Sequence, residues 1–293
     1  MSFTRTNSGL SNMALFHGVD MIVFTEGGGI SFPFTEVLKG KFNEISVDIK
    51  FWSGIFNTYG FDKKVEFRAL GSKTATNKIC DLLSEGKINN IVVARDSDLD
   101  DFTDDKVDSP FILYTKGYSW ENDVYHKELV KDQVNSMIFS ANLKAEYIDV
   151  IEKSYAQFYS QAFRLLKLEI LFRVNGVKLI TDCNGERFVN GKSLPLINMS
   201  QVSALVNENK SKLIRPVSLE GINLDKCPIR FSYGKLKEAL ALANVNYIVG
   251  KLEGVKSLPK DFIISSMIDR YFRYSEQVKD DYYSDIIGNL MAA

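Results

Sequence analysis

Short apolar or alternating segments mark the first third of the chain. Each ends at a turn signal and has the length of a strand; they cover residues 21–24, 47–51, 65–69, 90–94 and 111–114. Apolar side chains at helical spacing follow the third of them and predict a helix with Thr74 or Thr76 at its start and Gly86 past its end. Strands separated by helices predict an α/β fold with a mostly parallel sheet flanked by helices.

The pattern changes after about residue 130. Residues 145–173 contain neither glycine nor proline and carry apolar side chains on one helical face, which predicts one long helix. Residues 233–243 and 261–274 also have helical patterns. The segment 177–215 is harder to assign and contains a candidate hairpin around Gly185. The later half of the chain is therefore predicted to be mainly helical.

Composition narrows the class of protein. The chain has 293 residues, of which 45% are hydrophobic, and a formal net charge of −1 from 36 Lys+Arg and 37 Asp+Glu. This is a soluble globular composition, and it lacks the general positive charge of proteins that coat nucleic acid. The three cysteines are far apart and form no CxxC pair. With no signal peptide and no apolar run of about 18 residues, the expected location is the cytoplasm, without membrane contact.

Acidic side chains follow two of the predicted strands. Glu26 comes directly after the first apolar run, and Asp96 and Asp98 come after the fourth. Ligands of parallel α/β sheets bind beyond the carboxyl ends of the strands, so these carboxylates are expected to converge if the two strands are neighbours. Magnesium, with its preference for oxygen ligands, would relieve their mutual repulsion. Removing one of them should leave the metal-free protein as stable as before or more stable.

Other polar residues near these positions have two interpretations. Asp100 is a further candidate metal ligand, but with Asp101, Asp104 and Asp105 it is also typical of a solvated turn. Lys73 follows Gly71, which permits close approach of the backbone, so Lys73 is either a phosphate-binding point charge or an exposed lysine.

Three motifs in order resemble the TOPRIM domain, in the branch found in OLD-family nucleases. They are Val23-Phe24-Thr25-Glu26-Gly27, Gly71-Ser72-Lys73, and Ile91-Val92-Val93-Ala94-Arg95-Asp96-Ser97-Asp98. The later Tyr118-Ser119-Trp120-Glu121-Asn122 resembles a signature that follows the last strand of that branch, with Glu121 as a metal ligand or a structural partner. Within that branch, the chain resembles the TOPRIM effector subunits of the phage anti-restriction induced system (PARIS). The resemblance covers roughly residues 18–125.

The resemblance implies a function that the residues alone do not show. It implies a metal-dependent endonuclease, a toxic effector in antiphage defence, that cleaves RNA, transfer RNA in particular, after release from an ABC-type ATPase subunit. Glu26, Asp96 and Asp98 would bind Mg²⁺, with Mn²⁺ as a second candidate. Two alternatives stay open, namely a DNA-cleaving nuclease of the OLD type and a non-catalytic binding module with a structural ion.

The resemblance also divides the chain into functional regions. Residues 1–128 are expected to form the TOPRIM catalytic core, and residues 129–293 a helical elaboration for homodimerisation of the active protein and for docking on the ATPase. The chain has no Walker A motif of its own, because Glu186 and not glycine stands in the required position. Interfaces concentrate aromatic and arginine anchors, and four adjacent candidates are Tyr271, Phe272, Arg273 and Tyr274.

Overall fold

The computed structural model describes residues 6–103, 105–180, 185–191, 193–214 and 228–293. The chain divides into two compact units. The first consists of Met1–Ser97, Lys106–Lys116 and Phe272–Ala293, and the second of Asp98–Asp105 and Gly117–Tyr271. Both units are therefore assembled from segments that are distant in the sequence.

The first unit is built on a four-stranded sheet in which every neighbouring pair is parallel. Its strands are β1 (Met21–Thr25), β2 (Val65–Ala69), β3 (Ile91–Arg95) and β4 (Ile112–Tyr114), in the order β2-β1-β3-β4. The register pairs Thr25 of β1 with Ala69 of β2 and with Ala94 of β3. Adjacent β1 and β3 confirm the neighbour relation on which the convergence of Glu26 and Asp96 depends.

Helices cover both faces of this sheet. The helices of the first unit are α1 (Asn7–Ser11), α2 (Met13–His17), α3 (Phe34–Val37), α4 (Val47–Thr58), α5 (Lys73–Ser84) and, from the end of the chain, α13 (Asp281–Ala292). Phe24 and Val93 of the strands share one hydrophobic core with Ile79 of α5. On the opposite face, the ring of Phe56 in α4 lies 5.4 Å from that of Phe67 in β2. The predicted α/β class, with a parallel sheet flanked by helices, is confirmed.

The strand predicted over residues 47–51 is wrong, because this segment is the start of helix α4. Ser46 caps the helix by accepting a hydrogen bond from the backbone N–H of Ile49 at 3.0 Å. Four side chains on one side of the helix are buried, at a spacing that only a helix produces: Phe51, Trp52, Ile55 and Phe56. A window of five residues was too short to distinguish this spacing from strand alternation.

Helix α5 is present as predicted, but its capping residue differs. Ser72, and not Thr74 or Thr76, accepts a hydrogen bond from the backbone N–H of Ala75, and Thr76 lies buried within the helix. Gly86 follows the end of the helix with a φ of +66°, the left-handed conformation that glycine adopts without strain. The prediction for the end of this helix is therefore confirmed, and the one for its start is wrong by a few residues.

The second unit is helical over the residues that the structure describes in it. Its helices are α6 (Asp100–Thr103), α7 (Glu121–Val124), α8 (Lys127–Asn135), α9 (Ala145–Val174), α10 (Met199–Asn209), α11 (Gly234–Glu253) and most of α12 (Lys260–Ser275). Helix α9 has 30 residues, which confirms the long helix predicted there. The predicted hairpin involves Asn184, which lies outside the described residues; Gly185–Phe188 form a short 3-10 helix.

The two compact units do not follow the predicted boundary between residues 128 and 129. The segment Phe272–Ala293 belongs to the first unit, where the rings of Phe272 and Phe51 lie 5.9 Å apart. Phe272 is thus packed within the unit and partly buried, and Tyr271 is buried. Arg273 and Tyr274 are exposed. In the described part of the chain, no helix has both the length and the apolar character to cross a membrane.

Candidate functional site

The carboxyl edge of the sheet brings together the ends of β1 and β3. Glu26 directly follows β1, and Asp96 directly follows β3. Because Thr25 and Ala94 are paired in register, the two acidic residues leave the same edge of the sheet from neighbouring strands. Both side chains are partly buried. This edge is where a parallel α/β sheet binds its ligands.

The Glu26 carboxylate faces an arginine that the sequence reasoning did not single out. Its Oε2 atom lies 3.6 Å from Nε of Arg95, the last residue of β3. The Arg95 side chain is only 4% exposed, and that of Glu26 is 19% exposed. A buried arginine at the end of an apolar strand was the one signal in the sequence for this pair, since charged side chains are rarely buried without a partner.

Arg95 is anchored on the face of the sheet that α5 covers. Its Nη1 atom donates a hydrogen bond of 2.8 Å to Oδ1 of Asn77 and lies 3.9 Å from Sγ of Cys80. Its guanidinium carbon lies 5.7 Å from the ring centre of Tyr114 on β4. Burial raises the pKa of the Cys80 thiol, and the nearby Arg95 charge opposes that shift. Glu26 is therefore on the α5 side of the sheet edge.

The glycine-rich turn after Glu26 brings a further acidic residue to this edge. A Cβ atom at Gly27 would overlap the carboxylate of Asp48, which lies in the first turn of α4. Helix α4 covers the face of the sheet opposite to α5, as the contact between Phe56 and Phe67 shows. Asp48 was missed because its segment was taken for a strand. The acidic residues of this edge thus come from both sides of the sheet.

The segment that carries Lys73 packs against the same turn. Gly71 has a φ of +67°, and its N–H donates to the carbonyl of Gly27 at 3.2 Å. A Cβ atom at Gly71 would overlap the carbonyl oxygen of Ile30, so only glycine fits here. This close approach was predicted from Gly71, and it places Lys73, the first residue of α5, beside the Glu26 turn.

Asp98 and Asp100 belong to the second unit, whereas Glu26 and Asp96 belong to the first. Asp98 has a φ of +47°, and its N–H donates to the carbonyl of Tyr118 at 2.7 Å. Asp100 is only 6% exposed, so it is not part of a solvated turn. That alternative does hold for Asp105, which is exposed, while Asp104 lies outside the described residues.

The donor chemistry at the sheet edge suits magnesium, since the acidic side chains offer only oxygen atoms. Within the described ranges, no three His, Cys, Asp or Glu side chains are grouped closely enough to hold a metal ion by themselves. Magnesium typically binds through one or two carboxylates together with water and substrate phosphate. Glu26 and Asp96 provide two carboxylates at this edge, and Arg95 is the neighbouring positive charge.

Glu121 has a structural environment in the second unit. Its buried carboxylate lies 2.5 Å from Nζ of Lys235, which also lies 3.2 Å from Glu238. Burial alone would lower the pKa of Lys235, but the two carboxylates outweigh this effect and raise it. The neighbouring Asn122 accepts a hydrogen bond from the backbone N–H of Ser119 at 3.2 Å. Of the two roles left open by the sequence, the contacts favour the structural one.

Fold and site together define a class of protein. It is an α/β protein with a four-stranded, all-parallel sheet flanked by helices and with acidic side chains at the carboxyl edge of the sheet. No protein-family model matches the sequence, and no curated protein is significantly similar to it. The functional argument therefore rests on the residues of the sheet edge.

Proposed function

We propose that this protein is a magnesium-dependent phosphodiester endonuclease of the TOPRIM type. The observation that carries the proposal is the exit of Glu26 and Asp96 from the same edge of two hydrogen-bonded neighbouring strands. The sheet order and the order of the motifs along the chain support it. A cluster of this kind, placed where a parallel sheet binds ligands, is suited to phosphate chemistry.

Each residue of the edge has a distinct role in this proposal. Glu26 and Asp96 would hold the metal ion, and Asp98 and Asp100 join them on the strength of the resemblance. When bound, magnesium can lower the pKa of water and stabilise charge on a phosphodiester. Lys73, at the start of α5, would bind a substrate phosphate as a point charge, supported by the positive end of the helix dipole.

The biological setting is part of the proposal and comes from the resemblance to the PARIS effector subunits. The nuclease would act in antiphage defence, cleave RNA, with transfer RNA as the favoured substrate, and form a homodimer when active. An ABC-type ATPase subunit would hold it silent in the cytoplasm. The chain's near-neutral charge is compatible with such restraint, because it has no general affinity for nucleic acid.

The test uses the full chain, with labelled RNA and DNA in one reaction. Cleavage that needs Mg²⁺, stops with a chelator and is absent from Glu26→Gln supports a nuclease, and the label that is shortened identifies the substrate. Sequencing of the nucleic-acid ends that arise in cells on activation, with the ATPase co-expressed, then locates the cut. Wild-type cleavage by Glu26→Gln would overturn the assignment of the site.

One observation favours the non-catalytic alternative. Glu26 already has a cationic neighbour in Arg95, as expected of a structural ion pair. In that case the chain would cleave neither label, with or without Mg²⁺. Loss of Glu26 should lower the melting temperature under both functions, because it leaves Arg95 without that carboxylate, so cleavage is the measurement that separates them.

A further inference from the structure

Arg95 stands at a position where the sheet otherwise has core side chains. Strand alternation puts it on the same face as Ile91 and Val93, which are fully buried in the hydrophobic core. A guanidinium in such a place is stable only when its charge is compensated and its N–H groups are bonded. An apolar side chain would complete this core at lower cost, so the charge calls for a functional explanation.

The contacts of Arg95 fix its guanidinium on two sides. Asn77 and Cys80 hold Nη1 from α5, and the Tyr114 ring lies beside the guanidinium from β4. Helix α5 and strand β4 thus hold the guanidinium of Arg95, and the Nε edge of this planar group is directed at Glu26. The Glu26 carboxylate is therefore positioned by a group that contacts with α5 and β4 hold in place.

The distance between the two charges is informative. At 3.6 Å, Nε and Oε2 attract each other but are too far apart for a strong charge-assisted hydrogen bond, which is about 2.7–2.9 Å long. A pair of this kind orients a carboxylate, and a divalent cation can compete with the guanidinium for the same oxygen atoms. Mutation of the partner groups behind metal ligands typically costs about 10- to 100-fold in metal affinity or activity.

We propose that Arg95 is a positioning residue of the candidate site: it holds the Glu26 carboxylate at the sheet edge and takes the place of the metal's charge in the metal-free protein. The inference rests on the proposed function, because it assigns Glu26 to metal binding. Its consequence is that the charge of Glu26 is compensated before the site is loaded. The Arg95 charge then sets the magnesium concentration at which loading occurs.

The first test measures the pair without metal and without activity. Melting temperatures are recorded with chelator present for wild type, Glu26→Gln, Arg95→Gln and the double variant. The expected result is strong non-additivity, with the double variant more stable than the sum of the single changes allows. Additive effects would show that the two side chains do not act as a pair and would overturn the proposal, whatever the nuclease assay gives.

The second test titrates magnesium. Arg95→Gln should lower the turnover by about 10- to 100-fold, because Glu26 is no longer held in position. It should also lower the half-saturating Mg²⁺ concentration severalfold, because the cation that competes with magnesium for Glu26 is gone. This concentration is measured both in the assay and by calorimetry. Arg95→Lys keeps the charge, so its half-saturating concentration should stay near wild type. Loss of packing alone would reduce activity without a tighter metal response, and that result would refute the positioning role.

The two tests separate this inference from the function on which it rests. Non-additive melting with no cleavage by the wild type would sink the nuclease and leave the Glu26–Arg95 pair as a structural element. Cleavage by the wild type with an unchanged Mg²⁺ response in Arg95→Gln would support the nuclease and refute the positioning role of Arg95. Asn77→Ala is the matched control, because it removes the hydrogen bond from Arg95 to Asn77 and keeps the charges of Arg95 and Glu26. It should change turnover less than Arg95→Gln does.

Discussion

Two acidic residues, the partly buried Glu26 in the first unit and the buried Glu121 in the second, are paired with cations in different ways. Glu121 lies 2.5 Å from Lys235, whose Nζ is also 3.2 Å from Glu238. Glu26 lies 3.6 Å from Arg95 at the end of a strand. The first arrangement has short contacts on several sides and ties helices together. In the second arrangement the distance between the charges is longer, and the carboxylate stands at the sheet edge. This is the arrangement expected of a carboxylate that also binds a ligand.

The largest expected effect comes from the longer pair. Glu26→Gln keeps the shape of the side chain and removes its charge, so cleavage of labelled RNA at saturating Mg²⁺ should fall by more than about a hundredfold. Glu85→Gln, an exposed acidic residue of the same unit, is the control and should behave as wild type. Equal cleavage rates in Glu26→Gln and Glu85→Gln would show that Glu26 has no role in cleavage.

The structure also changes what removal of Glu26 should do to stability. Crowded carboxylates predicted an equal or more stable metal-free protein. The structure places the cation of Arg95 beside Glu26, so removal of Glu26 leaves a buried cation without that carboxylate, and the protein should become less stable. A thermal melt of Glu26→Ala with chelator present distinguishes these expectations by the sign of the change.

The next effect concerns a third buried acid, Glu169 of α9, which accepts a hydrogen bond of 3.0 Å from the backbone N–H of Ile180. Burial raises its pKa from 4.5 to about 7. The folded state thus binds more protons than the unfolded state between these values, so stability falls as the pH rises through this window, by about 3 kcal/mol in total.

Glu169→Gln imitates the protonated acid and should remove this loss. Urea unfolding at pH 5 and pH 8 is the measurement, with the wild type losing more stability between the two than the variant does. Glu146→Gln, at an exposed position of the same helix, should retain the wild-type difference. Parallel behaviour of Glu169→Gln and wild type would mean that Glu169 stays ionised in the folded protein.

A smaller effect is expected at the short-contact pair. Glu121→Gln removes one of the two carboxylates beside Lys235, and Glu238 continues to compensate the charge. The free energy of unfolding should fall by about 1–3 kcal/mol, while the Mg²⁺ response stays at the wild-type value. Glu128→Gln provides an exposed control. A shift in the Mg²⁺ response would instead revive the role of Glu121 as a metal ligand.

The smallest expected effect is on metal affinity. Asp96→Asn and Asp98→Asn keep an oxygen atom and lose the charge, so each should raise the half-saturating Mg²⁺ concentration by about tenfold, or about 1.4 kcal/mol. Asp105→Asn, exposed in the same acidic stretch, should not change it. If all three titrations coincide, the acids after β3 do not bind the metal.

The sequence was sufficient for the parts of the site that depend on local pattern. Apolar runs identified β1 and β3, and the rule for parallel sheets then placed Glu26 and Asp96 at one edge. Gly71 likewise indicated the close approach that the structure shows. In each case the information lies within a few residues of the feature that it predicts.

Features that depend on distant contacts were beyond the pattern. Arg95 faces Glu26 from the neighbouring strand β3. Asp48 approaches Gly27 only because its segment is a helix. The ring of Phe272 seemed available for a partner until its packing against Phe51 was known. None of these contacts leaves a periodic signal, since each joins positions tens or hundreds of residues apart.

The composition of the first unit has a consequence for biosynthesis. Tyr283, Ile287 and Leu290 of α13 are fully buried, and the ring of Tyr283 lies 6.1 Å from that of Phe51. A ribosome delivers these residues nearly two hundred positions after β3, so the side of α4 that carries Phe51 stays uncovered for most of translation. The first unit therefore completes this part of its core only after α13 has been synthesised, and under the proposed function cleavage would begin only then.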